Sequence, residues 1–145
     1  MTRLHVHLKV SDLDRSIGFY TALFGRAPDK RENDYAKWML DDPAANIAIS
    51  ASGAAAGVDH VGLQFEDRVE LDASAARLKD AGHGALAEPN ATCCYARSDK
   101  HWAVSPDGAA KWELFHTFGD AAVMRSAPEM TIAPSTKAQS ACCPQ

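Results

Sequence analysis

Two segments of the chain alternate between apolar and polar residues, as strands with one buried face do. In residues 3–10 every second position is apolar, and residues 58–65 alternate in the same way, beginning near His60. In the first segment the apolar face consists of Leu4, Val6, Leu8 and Val10, and the polar face of His5, His7 and Lys9. Each segment is therefore predicted to be a strand with histidine on its polar face.

A helical pattern follows each of these strands. Ser11 is predicted to cap the first helix, which ends at Gly25, and the second is predicted over residues 70–81, before Gly82 and Gly84. The apolar stripes are Leu13, Ile17, Tyr20, Leu23 and Phe24 in the first helix and Leu71, Ala75 and Leu78 in the second.

Further strands are predicted after each helix, which gives the chain a repeated order of elements. They cover residues 35–41 and 45–51, joined by the turn Asp41-Asp42-Pro43, and residues 84–88, 99–104 and 110–118. Ala51 to Gly57 is predicted to be a linker. The segments His5–Val10 and His60–Phe65 match in their apolar positions and their leading histidine. An α+β fold built from two duplicated modules is therefore predicted.

The composition narrows the class of protein. With 46% hydrophobic and 23% charged residues, 145 residues suit one globular domain. The net charge of -4 and the pI near 5.8 provide no positive field for nucleic acid or an anionic membrane. No segment resembles a signal peptide or a membrane span. We expect a cytoplasmic protein with reduced cysteines and with neither nucleic acid nor membrane as a partner.

The domain is predicted to cover residues 1–120, with modules of about 1–52 and 57–120. Residues 121–145 have little periodicity and include three prolines, as a flexible C-terminal tail does. The tail ends near a second adjacent pair, Cys142-Cys143, which could reach back toward the first pair; an accidental terminal pair is the alternative.

The first pair, Cys93-Cys94, carries the most specific chemistry. Neighbouring Cα atoms lie about 3.8 Å apart, less than the roughly 4.4–6.8 Å of an ordinary disulfide, so a routine bridge is not expected. Two neighbouring thiolates suit a soft ion such as As(III), Cd(II) or Zn(II). Because successive strand residues point to opposite faces, they must lie on a loop or a distorted strand end to bind one atom together. The alternative is two small apolar residues that are buried separately.

A metal site is predicted from His5, His60 and Glu113. The two histidines occupy the same position in the two repeats, and Glu113 lies in an apolar strand, where a carboxylate is costly to bury without a partner. Two histidines and one carboxylate form the facial triad that holds a divalent metal such as Fe(II) and leaves positions open. For each histidine alone, the alternative is a solvated or hydrogen-bonded strand residue.

Other histidines are less suited to this role. His7 lies on the same face as His5, about 6.8 Å away along a strand, but it aligns with Gly62 in the repeat, which favours His5. His83, His101 and His116 lie away from the expected positions and are predicted to be ordinary surface or supporting residues.

At these residues the chain resembles the vicinal oxygen chelate superfamily, which includes glyoxalase I, extradiol dioxygenases and the fosfomycin and bleomycin resistance proteins. The motifs concerned are Ser11–Tyr20 behind the first strand, Val58–Gly62 and Trp112–Phe115. Further motifs resemble the ArsI-type carbon-arsenic lyases and the cadmium-induced proteins: Asp34–Lys37, Thr92–Ala96, Asp99–Trp102 and Pro106–Gly108. The resemblance covers roughly residues 3–118.

The resemblance implies paired βαβββ modules that form a cup around a metal. It implies His5, His60 and Glu113 as metal ligands and Cys93 and Cys94 as the substrate-binding thiols. Glyoxalase I proteins use a fourth ligand, a glutamate from the last strand of the first module. That strand offers no carboxylate here, in Ala45–Ser50, so an open three-ligand site is favoured.

The leading hypothesis is an Fe(II)-dependent dioxygenase that cleaves the carbon-arsenic bond of trivalent organoarsenicals, such as methylarsenite or reduced aromatic arsenicals, and releases arsenite. Tyr95, Lys100 and Trp102 are weaker candidates for the substrate pocket. The alternatives are a cadmium- or arsenite-binding stress protein without turnover, and another dioxygenase or thiol transferase of the same fold. Proteins of this fold often form homodimers, although no residue of this chain requires it.

Overall fold

The computed structural model describes residues 1–124, which form strand, helix and three strands, twice in succession. The first series is β1 (Arg3–Lys9), α1 (Leu13–Phe24), β2 (Lys30–Arg31), β3 (Tyr35–Asp41) and β4 (Ala44–Ser50). The second series is β5 (Gly57–Phe65), α2 (Arg68–Asp80), β6 (Leu86–Cys93), β7 (Ala96–Val104) and β8 (Lys111–Asp120). The predicted α+β fold of two βαβββ modules is confirmed.

All eight strands join one curled sheet in the order β2-β3-β4-β1-β5-β8-β7-β6. Within each module the first and last strands are parallel, β1 with β4 and β5 with β8. The modules meet where β1 pairs antiparallel with β5. The first strands of the two modules therefore lie side by side at the centre of the sheet.

Two apolar cores lie between the helices and one face of the sheet. Under α1, Ile17 packs with Ala36, Trp38 and Ile49. Under α2, the core consists of Phe65, Leu71 and Leu114, with Leu63 and Leu78 packed against it. Because successive strand residues alternate between faces, the opposite face of the same strands is left for the polar residues of the cup.

Both helices begin at an aspartate. Asp12, not Ser11, caps α1: its carboxylate accepts a hydrogen bond from the Arg15 backbone N–H at 3.0 Å, so the predicted cap is wrong by one residue. Asp67 caps α2 in the same way through Glu70, which starts that helix earlier than predicted. An aspartate cap satisfies a backbone donor that the first turn leaves without a partner.

The structure corrects several other predictions. Leu23 belongs to the predicted stripe of α1 but is 61% exposed. The short strand β2 was not predicted, and β6 runs to Cys93 instead of ending near residue 88. The end of β6 was missed because Pro89, which has no backbone N–H, argues against a strand. Since β6 is an edge strand whose pairing shifts register between Glu88 and Ala91, the missing N–H is tolerated there.

In the described part of the chain, no helix is long and apolar enough to span a membrane. Ala121 and Val123, which were predicted to belong to the tail, hydrogen-bond to the backbone of Tyr95. Cys142 and Cys143 lie outside the described residues.

Candidate functional site

The pairing of β1 with β5 places the histidines. His5 lies opposite Gly62, Val6 opposite Val61 and His7 opposite His60. A twofold axis near the Val6–Val61 pair would therefore exchange His5 with His60, which is the equivalence that the sequence repeat predicts. Both residues are buried, with 6% and 3% exposure.

Gly62 allows the third member of the cluster to approach. In the parallel pairing of β5 with β8, Gly62 lies beside Glu113. A Cβ atom at residue 62 would lie 2.2 Å from the backbone oxygen of Glu113, closer than two such atoms can pack. The glycine that aligns with His7 is thus a packing requirement of the strand that carries the carboxylate.

The three side chains of His5, His60 and Glu113 converge, and we refer to them as the His/Glu cluster. The two histidine Nε2 atoms are 3.3 Å apart. Glu113 Oε2 lies 3.5 Å from Nε2 of His5 and 3.3 Å from Nε2 of His60. The structure therefore brings together all three predicted ligands.

The hydrogen bonds at the Nδ1 atoms determine which tautomer each ring adopts. Nδ1 of His5 lies 3.0 Å from the backbone oxygen of Asn46, and Nδ1 of His60 lies 2.7 Å from Asp59 Oδ2. Since both partners are acceptors, each Nδ1 must donate. When both rings are neutral, each Nε2 therefore carries a lone pair. The two lone pairs point toward each other and toward the carboxylate of Glu113.

The protonation of the cluster reflects this crowding. Burial lowers the pKa of His5 to about 4. Burial alone would also lower the pKa of His60, but hydrogen bonds to Asp59 and Glu113 outweigh it and raise that pKa. Burial would raise the pKa of Glu113, yet Lys100 and the histidines hold it well below its usual range. The cluster is thus an anionic carboxylate and two inward nitrogens, an arrangement that attracts a proton or a metal cation.

The donor set fits a divalent metal. Ligands bound at about 2.1 Å lie roughly 3.0–3.4 Å apart in octahedral or tetrahedral geometry, and the three donor atoms here are 3.3–3.5 Å apart. Imidazole nitrogens with one carboxylate oxygen are the ligands of a facial triad. His5, His60 and Glu113 could therefore hold an ion with little movement.

Lys100 is more closely tied to the cluster than its sequence context indicates. It is 5% exposed, and its ammonium group forms an ion pair with Glu113 Oε1. Burial opposes the charge, but Glu113 and the nearby thiols raise the pKa of Lys100, so the ammonium stays protonated. Because Lys100 occupies Oε1, Oε2 remains directed at the histidines. The sequence signal was its alternation with Trp102 on β7, which places both on the cup face.

Trp102 and His7 enclose the imidazole of His60. The Trp102 ring meets it edge-on at 5.2 Å, and the indole N–H donates to Glu88 at 2.9 Å. The ring of His7 lies 4.9 Å from that of His60, while His7 Nε2 is hydrogen-bonded to Ser50 Oγ at 2.9 Å. His7 is thus engaged outside the His/Glu cluster.

Cys93 and Cys94 lie at the turn between β6 and β7. Cys94 and Tyr95 both have left-handed backbones, with φ of 55° and 57°, as the central residues of a tight hairpin turn do. The turn brings the two sulfurs to 3.0 Å, well beyond the about 2.05 Å of a disulfide bond. The structure thus places the pair where a strand ends in a turn, in agreement with the predicted loop or distorted strand end.

The two thiols differ in acidity because they share a proton. A hydrogen bond from Cys94 lowers the pKa of Cys93 to about 7, against the effect of burial and with help from Lys100. The same interaction, together with burial, raises the pKa of Cys94 far above its ordinary value. Cys93 is therefore the thiol that ionises first as the pH rises.

The first module holds this turn through a group of contacts that we call the clasp. The Tyr95 hydroxyl donates to Asp34 at 2.6 Å. Lys30 donates to the Tyr95 backbone oxygen at 2.7 Å and to Asp120 at 2.9 Å. Tyr95, a weak candidate for substrate contact in the sequence, is therefore placed as a bridge between modules.

One cavity joins the thiols to the His/Glu cluster. Its volume is about 30 Å³, so in this structure it is a narrow space between the two groups. Its lining includes His5, Glu113, Lys100, Cys93 and Cys94. Asn46 also lines it, and Asn46 Oδ1 is the buried side-chain atom that lacks a hydrogen-bond partner among the described residues, so it can accept from a ligand.

A larger cavity of about 470 Å³ lies under α2, beside Leu63, Leu78 and Trp112. It is mainly apolar and contains neither the thiols nor the cluster, so volume alone does not identify the site. The remaining histidines also lie elsewhere: His83 is exposed, His101 is 3.7 Å from Asp72, and His116 is 3.3 Å from the Phe65 backbone oxygen.

The fold and this constellation define a known class. The chain belongs to the glyoxalase/bleomycin resistance protein/dioxygenase superfamily, whose model matches residues 2–114. Among solved structures, it is similar to the Mn(II)-bound glyoxalase from Novosphingobium aromaticivorans. The TM-score is 0.59 at 20% identity, over 88% of this chain and 44% of that one, which shows a shared fold.

Two named relatives span nearly the whole chain. The chain is 35% identical to a trivalent organoarsenical cleaving enzyme from Thermomonospora curvata, over 99% of this chain and 89% of that one. It is 32% identical to the cadmium-induced protein CadI from Mycobacterium tuberculosis, over 99% of this chain and 93% of that protein. The predicted membership of this branch of the superfamily is confirmed.

Proposed function

We propose that the protein is an Fe(II)-dependent dioxygenase and carbon-arsenic lyase that converts trivalent organoarsenicals to arsenite, as a step of arsenic detoxification. The observation that carries this proposal is the single cavity lined by Cys93, Cys94, His5 and Glu113. The 35% identity to a trivalent organoarsenical cleaving enzyme supports it.

The thiols would capture the substrate. A trivalent organoarsenical with two hydroxyl groups exchanges both for thiolate ligands: each As–O bond breaks, an As–S bond forms, and each thiol proton leaves in a water molecule. Cys93, whose pKa is about 7, supplies the first thiolate at neutral pH. Cys94 then gives up its proton as the second As–S bond forms. Arsenic stays trivalent throughout, and the carbon-arsenic bond remains inside the cavity.

The cluster would hold the metal next to this captured group. His5 and His60 offer Nε2, and Glu113 offers Oε2 while Lys100 occupies its other oxygen. When bound, Fe(II) supplies the open coordination positions at which oxygen is activated. The chain itself contributes proximity, because the thiols fix the arsenic on one wall of a cavity whose other wall carries the cluster.

The test is a single-turnover experiment with the iron-loaded protein. Protein loaded anaerobically with Fe(II) is incubated with methylarsenite and then exposed to oxygen, while methylarsenite and arsenite are separated and counted. We expect arsenite only when protein, iron and oxygen are all present. No oxygen-dependent arsenite release from the loaded protein would refute the lyase proposal.

The 32% identity to CadI favours a second candidate, a protein that sequesters cadmium or arsenite without turnover. The variants Cys93→Ser and His60→Ala distinguish the two. For an enzyme, both variants lose turnover, but only Cys93→Ser loses arsenical binding. For a sequestering protein, His60→Ala changes little and no product forms with iron and oxygen.

A further inference from the structure

We propose that Asp59 is a positioning residue of the metal centre, whose carboxylate holds the imidazole of His60 so that Nε2 faces the ion. The inference rests on the proposed function, since it takes His60 as a metal ligand. It concerns a side chain that lies outside both the His/Glu cluster and the thiol pair.

The contact between the two neighbouring residues is direct. Asp59 Oδ2 accepts from His60 Nδ1 at 2.7 Å, and the side chain of Asp59 is only 19% exposed. A carboxylate can only accept in this contact, so the proton of the neutral ring stays on Nδ1. The lone pair is then on Nε2, the atom that lies 3.3 Å from Glu113 Oε2.

His5 provides the internal comparison. Its Nδ1 donates to a backbone carbonyl, that of Asn46, at 3.0 Å. A carbonyl fixes the tautomer but carries no net charge, whereas a carboxylate also increases the basicity of the ring and stabilises a bound cation. We therefore expect the His60 side of the centre to depend on a side chain that can be changed, and the His5 side to depend on the backbone.

The other neighbours of Asp59 do not compete with the hydrogen bond between its Oδ2 atom and His60. Lys9 approaches Oδ1 at 3.9 Å, and His7 Nδ1 approaches Oδ2 at 3.9 Å. The atoms of His7, Asp59 and His60 are close enough to suggest a second metal group. However, 2.7 Å between Nδ1 and Oδ2 is the length of a hydrogen bond, shorter than the roughly 3.0 Å between two ligands of one ion. His7 is also engaged with Ser50. Positioning accounts for the geometry better than a second ion does.

The first measurement is the affinity for Co(II), used as a spectroscopic probe of the centre. Asp59→Ala should weaken Co(II) binding about 10–100-fold, the usual effect of losing such a partner of a metal-bound histidine. Asp59→Asn keeps an acceptor without charge and should lie between wild type and Asp59→Ala. Lys9→Met is the matched control, because it acts on the other oxygen of Asp59 and should leave the affinity nearly unchanged.

The second measurement reads the tautomer in metal-free protein. The ¹⁵N shifts of the His60 ring, recorded where the ring is neutral, should show Nδ1–H in wild type and a mixture of tautomers in Asp59→Ala. Cd(II) binding at the thiols and thermal unfolding without metal should change little in either variant, which separates positioning from general loss of structure.

The two readouts separate the possible failures. If Asp59→Ala binds Co(II) within twofold of wild type, or if the tautomer is the same in both proteins, the positioning role is wrong and the metal centre stands. If wild type itself binds no Co(II), the metal centre is wrong and the positioning role falls with it, whatever the tautomer.

Discussion

The His/Glu cluster and the thiol pair line one cavity, yet the chain builds them in different ways. The cluster lies on β1, β5 and β8, in the middle of the sheet, where each side chain is fixed by pairing on both sides. The thiols lie on a tight turn between the edge strand β6 and β7. The cluster is held by strand register, and the turn by the side-chain and backbone contacts of the clasp.

Symmetry explains this difference. Duplication produces His5 and His60 on equivalent strands, and the antiparallel pairing of those strands brings them together. The turn that corresponds to Cys93-Cys94 in the first module joins β2 to β3, and it carries Asp34 instead of thiols. Asp34 then meets Tyr95 across the mouth of the cup. Of these two equivalent turns, the one between β6 and β7 thus carries the thiols, and the one between β2 and β3 carries the residue that holds them in place.

The prediction with the largest expected effect disrupts the His/Glu cluster and leaves the thiol pair unchanged. Glu113→Gln should abolish stoichiometric Co(II) or Fe(II) binding, measured by titration, because the anionic ligand is lost. It also leaves the buried ammonium of Lys100 without its ion pair, and such a loss typically destabilises a protein by about 3–5 kcal/mol. Cd(II) binding by the thiols should persist at temperatures where the variant is folded.

The double variant Glu113→Gln/Lys100→Met separates folding from binding. Removing the unpaired ammonium should restore much of the free energy of unfolding, measured by denaturant titration, while metal binding stays absent. A Glu113→Gln protein that binds one metal with unchanged affinity would remove Glu113 from the proposed centre.

The second prediction breaks the thiol pair alone. Either Cys93→Ser or Cys94→Ser removes one arm of a two-thiolate chelate, so the affinity for methylarsenite should fall by roughly 100-fold or more. Fluorescence or calorimetric titration measures this loss, and Co(II) affinity should stay within twofold because the cluster does not use the thiols. An equal loss of Co(II) affinity would mean that the two regions are not independent.

The contrast between the regions also shows what can be predicted from sequence. Period-2 alternation and the repeat were enough to predict His5 and His60 as neighbours, because strand pairing is a regular consequence of that pattern; Glu113 was added because a carboxylate in an apolar strand needs a partner. The thiols could be placed at a distorted strand end by geometry alone, since adjacent residues of a regular strand diverge. Both predictions rest on regular backbone geometry.

The contacts that hold the thiol turn and the cluster in place could not be predicted in this way. The contact between Asp34 and Tyr95 joins residues 61 positions apart on two turns, and no periodic pattern marks it. The ion pair of Lys100 with Glu113 depends on the register of β7 against β8, in which Lys100 lies opposite Phe115 and Glu113 opposite Trp102. The sequence pattern leaves that register open. Gly62 matched His7 in the repeat, but only the approach of Glu113 explains why a glycine is needed.

The third prediction sharpens the comparison by weakening the clasp. Tyr95→Phe removes the hydroxyl that donates to Asp34, and a hydrogen bond of this kind contributes about 1 kcal/mol. The turn should then sample more conformations, and methylarsenite affinity should fall about fivefold with Co(II) affinity unchanged. Asp34→Asn keeps an acceptor for the hydroxyl and should lose less. If Tyr95→Phe binds methylarsenite as wild type does, the clasp does not position the thiols.

The smallest expected effect is a shift in a pH profile. In metal-free protein the alkylation rate of Cys93, followed by mass spectrometry of its peptide, should be half-maximal near pH 7, below the about 8.5 of an ordinary thiol. The thiolate is the reacting form, so a pKa lowered by the Cys94 hydrogen bond increases reactivity at neutral pH.

Cys94→Ala removes that donor and should move the midpoint toward 8.5, whereas Cys94→Ser, whose hydroxyl can still donate, should move it less. Lys100→Met should raise the midpoint by a smaller amount, because the ammonium acts at longer range than the shared proton. A midpoint that stays near 7 in Cys94→Ala would show that the neighbouring thiol does not tune Cys93, and the acidity would then have to come from the buried cations of the cup.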